Sequence, residues 1–431
     1  MTPEAALGGA ALFFCLGAIF LIPCAAAGLA ILNAGLGRSR NAAHAMLSAL
    51  CVLGIAAVAY CVVGFSLQGL PGHDAHQVVV NGKTWSWAGA EPLLMRSVNF
   101  EISDASAGSL TALYGVFVAG LAALIPLGSG ADRWRLGAGC ISAALLAGVV
   151  FPLFSHWAWA GGFLQQLGVN YGLGHGFLDA SGSGAVQAVG GLGALAIAWI
   201  LGPRRGKYTA DHMPVAIPGH NAVFVLFGCL LAWMGWLGMN SAGALLHGAA
   251  FVRAPLVVIN TTLCAMCASL AAAALTRSRF GKPDASLCAN GWVAGLAASS
   301  ACCASVRPAL AMLIGLAAGV IMIFAVEWLE FRLSIDDPGG AVSVHALGGI
   351  WGILSVGIFS GVAGQWLAQV IGIISLVGFV LPLLYGLNWL LDRVYPQRVT
   401  PQGERQGLDL HELGAGAYPE FMSHNDDLWQ R

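Results

Sequence analysis

Two polar side chains recur at one spacing in an otherwise apolar chain. Asp179 is followed eight residues later by Gln187 in DASGSGAVQAVGG, and Asp337 eight residues later by His345 in DPGGAVSVHALGG. Both stretches read Asp, seven residues, Gln or His, Ala, an aliphatic residue, Gly, Gly. Neutral histidine donates from one ring nitrogen and accepts at the other; glutamine also offers a donor and an acceptor but does not titrate. Such a pair can hold a small polar solute or bridge two helices, and only the histidine can pass a proton on. Eight residues of helix rise about 12 Å, which sets each side chain well inside a hydrocarbon layer of about 30 Å. Polar groups at that depth mark pathways. The plainer reading is a helix–helix hydrogen bond worth about 0.6 kcal/mol. Of the eleven histidines, only His345 falls in the middle of an apolar span.

The elements that must position this pair follow from composition. The 431 residues are 58% hydrophobic and 9% charged, with mean hydropathy +0.77. Soluble domains carry about 25% charged residues, so the expected class is an all-α polytopic membrane protein. The net charge of −1 assigns no partner. The N-terminal MTPEAALGG lacks a basic region, and no cleaved signal peptide is expected. The eleven cysteines lie in or beside apolar segments, and Cys264 and Cys267 read as packing residues.

Eleven spans are expected, near 8–33, 43–67, 108–129, 137–156, 179–201, 217–240, 249–276, 286–306, 309–331, 341–361 and 367–391. Fifteen Lys and Arg lie on one side: Arg38, Arg40, Arg133, Arg135, Arg204, Arg205, Lys207, Arg277, Arg279, Lys282, Arg332, Arg393, Arg398, Arg405 and Arg431. The other side holds four, Lys83, Arg96, Arg253 and Arg307. Positive charge stays inside, so the N-terminus is expected outside and the C-terminus in the cytoplasm. The external loop 68–107 carries Trp85 and Trp87 but no evident chemistry. The two Asp-x7 copies lie 158 residues and five spans apart. An odd number of spans reverses their direction, which gives an inverted 5+5 repeat with span eleven outside it. Sites in such folds lie near the midplane, where the halves meet.

Several stretches resemble the ammonium transporter family (Amt/Mep/Rh) across nearly the whole chain. They are IPCAAAGLAILNAGLGRSRN, LIPLGSGADRWR, SHWAWAGGF, LDASGSGAVQAVGG, AWMGWLGMNSAGALL, SIDDPGGAVSVHALGGIWGIL and, in the tail, GLDLHELGAGAYPEF. The span-ten block and the tail favour the Amt/Mep branch. The resemblance implies a homotrimer in the cell membrane with one pore per subunit. Ammonium would be recruited in an external aromatic vestibule and deprotonated, and ammonia would pass a hydrophobic pore lined by two histidines. It implies no cofactor and no nucleic acid. It also implies a transmembrane domain, 1–391, and a cytoplasmic regulatory tail, 392–431, on which a PII-type protein can act.

By that resemblance Trp159 matches the vestibule tryptophan, Asp179 the aspartate below it, Phe117 a gate phenylalanine and His345 the second pore histidine. Three positions depart from the pattern. Gln187 stands at the first pore histidine, Met239 at the second gate phenylalanine, and Gly243 at the vestibule serine, with Ser241 nearby. An aromatic face attracts a desolvating cation by about 0.5–2 kcal/mol, whereas Trp159 as an interfacial belt residue would need no cation. Asp179 reads first as the cap of span five. Ammonium and potassium are alike in size and charge, but only ammonium can shed a proton and cross as a neutral molecule. Glutamine interrupts a proton wire through the pore. The leading expectation is an ammonium/ammonia channel or transporter, not an enzyme. The alternative is an ammonium sensor with a transporter fold and little flux; the final MSHNDDLWQR holds no output domain, which counts against it. An ion-coupled transporter of another fold is disfavoured by the shortage of intramembrane carboxylates.

Overall fold

The structure is a computed structural model that describes residues 8–100 and 107–418. Eleven long helical rods follow one another among these residues. They are α1 (Gly9–Leu36), α2 (Ser39–Gln68), α3 (Ala107–Gly130), α4 (Leu136–Tyr171), α5 (Ser183–Leu201), α6 (Ala222–Leu246), α7 (Phe251–Phe280), α8 (Ala285–Cys302), α9 (Pro308–Leu333), α10 (Val342–Phe359) and α11 (Gln365–Val394). Ten of them, all but α8, are long and apolar enough to cross a membrane. The sequence of α8, ASLCANGWVAGLAASSAC, is rich in small and hydroxylic residues, and most of its side chains are buried among its neighbours. Each rod overlies one of the expected apolar stretches.

Local signals set the ends. Asn221 caps α6, its Oδ1 accepting from the backbone N–H of Val223 at 3.0 Å and Phe224 at 3.1 Å. Asp284 caps α8 through the N–H of Leu287 at 2.8 Å. Both satisfy donors that a helix start leaves open. Small residues then let backbones touch, as transmembrane packing favours. Gly28 of α1 lies directly against the Gly228–Ala232 turn of α6, where a Cβ would strike backbone atoms.

Two features differ from the sequence expectation. The rod α4 breaks after Trp159 and resumes as a short helix, Phe163–Tyr171. The expected external loop contains a hairpin, β1 (Ala75–Val80) paired antiparallel with β2 (Lys83–Gly89). Its turn is Asn81–Gly82, both at positive φ, the pairing that two-residue hairpins prefer. The hairpin leans on α4. Ser86 Oγ meets His156 Nε2 at 2.8 Å, and Trp157 Nε1 donates to the Trp87 carbonyl at 2.8 Å. The Trp-bearing loop thus packs on α4 at His156 and Trp157.

The loops rich in Arg gather on the opposite face and are tied by buried charge. Asp336 accepts from Arg204 at Nε (2.9 Å), at the second guanidinium nitrogen (3.0 Å) and at the backbone (2.8 Å). Asp132 takes Asn41 Nδ2 at 2.5 Å and Arg204 at 3.1 Å. Burial pushes the Asp336 carboxyl up, but its bonds to Arg204 and the charge of Arg133 outweigh this and hold it below the usual range.

The tail is pinned beneath the same face. Asp409 accepts from the N–H of Ala43 at 3.2 Å and of His44 at 2.8 Å. Glu412 bonds His44 Nε2 at 2.7 Å and the N–H of Leu136 at 2.9 Å. Two helix starts, α2 and α4, thereby receive carboxylates from one short segment, as helix dipoles favour. Burial raises the Glu412 carboxyl, but the His44 bond and the Leu136 N–H prevail, and the group sits below the ordinary glutamate value. A depressed folded value means its stabilisation is complete above the unfolded value, about 4.3, and is lost as pH falls through the folded one. Glu412→Gln is accordingly expected to speed amide hydrogen exchange of residues 400–418 at pH 7, and to flatten the acid-induced rise in exchange seen in the wild type.

Candidate functional site

Both Asp-x7 segments fold alike. Each opens its rod with a wide π-helical turn, Ser183–Ala188 in α5 and Val342–Leu347 at the start of α10. Such turns are rare and cluster at functional sites. An aspartate holds each one. Asp179 accepts four backbone N–H bonds, from Gly182 (3.0 Å), Ser183 (2.8 Å), Gly184 and Ala185 (both 2.9 Å). Asp337 accepts from Ala341 (2.9 Å), Val342 (2.8 Å) and Ser129 Oγ (2.6 Å). The Asp179 carboxylate is therefore spent on the backbone, and a helix cap is the role its geometry supports.

The two segments cross, and their polar side chains meet. Gln187 Oε1 lies 2.7 Å from His345 Nδ1, both buried. The contacts beside this bond are reciprocal. Gly191 packs on the backbone of Ala346, and Gly349 packs on Ser183 and on the N–H of Ala188, which a Cβ at Gly349 would meet at 2.9 Å. Position 191 corresponds to 349 and 188 to 346 in the two copies.

An amide oxygen only accepts, so His345 Nδ1 carries the proton and its other nitrogen, Nε2, is an acceptor. The Gln187 amide nitrogen is buried with no partner. His345 lines a small cavity with Leu29, Asn33, Asn290 and Val344. The pair thus leaves one donor and one acceptor over, which is what a neutral N–H molecule with a lone pair requires.

One face of α6 runs from this pair to Trp159. Trp236, Met239, Gly243 and His247 recur at intervals of three and four and so share a side. They cover about 16 Å at 1.5 Å per residue. The Trp236 ring lies near-parallel to His345 with centroids 6.4 Å apart. Met239 is fully buried. Gly243 faces Tyr114 and Ser181, and a Cβ there would stand 2.5 Å from Tyr114 Oη and 2.9 Å from Ser181 Oγ. Tyr114 has filled the volume that a side chain at 243 would need. Ser241 is two residues off and faces elsewhere on the helix.

The far end of the column is aromatic. Trp159 is 5% exposed and donates from Nε1 to the Asp179 carbonyl at 2.7 Å. Tyr114 meets its edge at 6.2 Å and donates to the Ser181 carbonyl at 3.1 Å. His247 stacks flat on Trp159, with centroids 4.2 Å apart and planes 11° apart. One face of the expected vestibule tryptophan is therefore covered by an imidazole. Phe117 makes no ring contact among the described residues; Tyr114, three positions earlier on α3, lies beside Trp159.

A family model of the Ammonium Transporter Family matches residues 12–418. The chain belongs to the ammonium transporter family. Ammonium transporter Amt2 of Archaeoglobus fulgidus is 36% identical over 430 residues, covering 95% of this chain and 88% of that protein. Ammonium transporter Amt2 of Haloferax mediterranei is 31% identical over 440 residues, with 97% and 92% covered. Among solved structures of the ammonium transporter fold, one named Sensor Amt Protein superposes with a TM-score of 0.84 at 27% identity, covering 93% of this chain and 98% of that one. Candida albicans Mep2 superposes with a TM-score of 0.79, covering 96% and 91%; at 23% identity it speaks to the fold alone. Within this ammonium transporter framework, sequence reasoning missed Tyr114, Trp236 and His247. The i, i+3, i+7, i+11 spacing along α6 was the signal that could have found the last two.

Proposed function

We propose that this chain recruits ammonium beside Trp159 and passes ammonia, as a neutral molecule, along the α6 face to the Gln187–His345 pair and the cavity beyond it. The observation that carries the reading is the 2.7 Å Gln187–His345 bond with its spare donor and acceptor. Ammonia has one lone pair for the Gln187 amide hydrogen and three hydrogens for the His345 acceptor. Met239 sits between the aromatic end and the pair as a flexible plug that must swing aside, a task suited to an unbranched side chain. Potassium has no proton to leave behind, and a bare cation is strongly disfavoured in such an apolar passage.

The reciprocal packing of Gly191 on Ala346 and Gly349 on Ala188 supports an inverted repeat, with eleven crossings and α11 outside it. The gathering of the Arg-rich loops and the docked tail on one face supports a cytoplasmic C-terminus. The homotrimer, the regulatory role of the 392–431 segment and a PII-type partner rest on the family alone. The likeness to Sensor Amt Protein, together with glutamine at 187, favours a second reading, ammonium binding with little flux.

Proteoliposomes loaded with a pH dye and given an ammonium pulse test the proposal. Internal alkalinisation faster than in empty vesicles is expected, and its absence alongside intact ammonium binding would leave the sensor. Trp159→Ala is expected to raise the half-saturating ammonium concentration by roughly 2- to 30-fold, the span of about 0.5–2 kcal/mol for a cation on an aromatic ring. An unchanged value would reduce Trp159 to a packing residue.

A further inference from the structure

We propose that the Nε2 atom of His247 is the acceptor that holds ammonium at the Trp159 end of the column. This deepens the transport reading and rests on it. Three observations converge. His247 Nδ1 lies 2.9 Å from the Ala180 carbonyl oxygen. A carbonyl only accepts, so Nδ1 carries the hydrogen and Nε2 of the neutral ring is a lone pair. That Nε2 is buried and has no partner among the described residues. The ring itself is fixed, stacked on Trp159 at 4.2 Å and edge-on to Tyr114 at 5.8 Å.

A buried acceptor without a donor is costly, and it is rare enough in folded proteins to call for a reason. The surroundings are aromatic, so the missing donor is not a neighbouring side chain. Ammonium supplies N–H groups and a positive charge that the Trp159 and Tyr114 rings also attract. Potassium supplies no donor and prefers oxygen ligands to imidazole. The hydroxyl that Gly243 lacks could not be housed there, because Tyr114 occupies that space. His247, one helical turn further along the same face, brings an acceptor to the same end of the column. Loss of a proton from the held ammonium breaks one N–H bond, leaves the electron pair on ammonia, and forms an N–H bond at Nε2. The imidazolium then returns that proton to the water outside.

The titratable and charged groups on the elements around the ring are Asp179, Tyr114, Cys303 and Arg253. Asp179 is engaged by four backbone N–H groups, Tyr114 donates to Ser181, Cys303 lies 3.9 Å from Ser181 Oγ, and Arg253 donates to the Ala304 carbonyl. None of them is bonded to Nε2.

The test compares the wild type with His247→Phe, which keeps a ring on Trp159 but no acceptor, and His247→Gln, which keeps an acceptor but no titration. Ammonium chloride is titrated calorimetrically into protein in lipid nanodiscs, with potassium chloride at matched ionic strength as control. The dye-loaded vesicle assay runs in parallel. His247→Phe is expected to weaken ammonium binding by about tenfold or more, the scale of a hydrogen bond to a charged group, while His247→Gln stays closer to the wild type. Acidification is expected to weaken binding in the wild type, as Nε2 takes a proton, and not in His247→Gln. Wild-type binding with His247→Phe unchanged would overturn the assignment and leave transport standing. Equal losses in both variants would also overturn it, marking the ring as packing only. A wild type that neither binds nor moves ammonium would overturn the transport reading beneath it.

Discussion

Gln187→His is expected to convert a weak ammonium-evoked current into one several times larger. On the proposed route, moving net charge with each ammonium requires a proton to follow ammonia past the buried Trp236 and Met239 and the small cavity that Leu29 and Val344 line. An unpaired ion in such a medium is strongly disfavoured, so the proton must hop between groups that accept and release it. His345 is one such group. Its neighbour at 2.7 Å is an amide, which holds the bond but cannot titrate. A histidine at 187 would supply two linked ring nitrogens where the chain of exchange now stops. Capacitive current on a solid-supported membrane, recorded beside the dye-loaded vesicle assay, separates charge movement from ammonia movement. Wild-type currents as large as those of Gln187→His would show that the proton takes another route. Absence of current in both, with alkalinisation intact, would mean that one further barrier lies outside this pair.

The second large effect comes from two glycines. Gly191→Ala and Gly349→Ala each place a methyl group into the backbone of the opposite segment, at Ala346 and at Ser183 with Ala188. Neither neighbour is a side-chain tip that can swing away. Overpacking of this kind typically costs about 1–3 kcal/mol, and these contacts put both variants at the upper end. The segments they force apart are those joined by Gln187 and His345, so ammonia flux should fall with thermal stability. Gly148→Ala is the control, since its Cβ would meet Ala59 at an ordinary 3.6 Å. A melting temperature for Gly191→Ala equal to that of Gly148→Ala would refute the close crossing.

The rods and the crossing pair were legible because each rests on a repeating signal. Apolar runs punctuated by charge mark α1 to α11, and the shared Asp-x7 spacing pairs Gln187 with His345. Contacts made by single residues across distant segments left no such trace. His247 sits just past the end of α6, and its partners Trp159, Ala180 and Tyr114 come from three other places in the chain. Tyr114 meets Trp159 and His247 from α3, with no motif of its own to mark it. The hairpin was readable from Asn81–Gly82, a dipeptide that two-residue hairpin turns prefer.

The tail contacts have a consequence for how the molecule is made. Asp409 caps the N–H groups of Ala43 and His44, which leave the ribosome some 365 residues earlier. At about 5–20 residues per second, α2 waits roughly 20–70 s with its first turn uncapped while every later rod is inserted. A chain that stops near residue 400 would carry all the rods and still lack that cap and the Glu412 bond to α4. A segment that emerges after every rod thus fastens the starts of α2 and α4, and a product shortened before residue 409 would leave the N–H groups of Ala43 and His44 open.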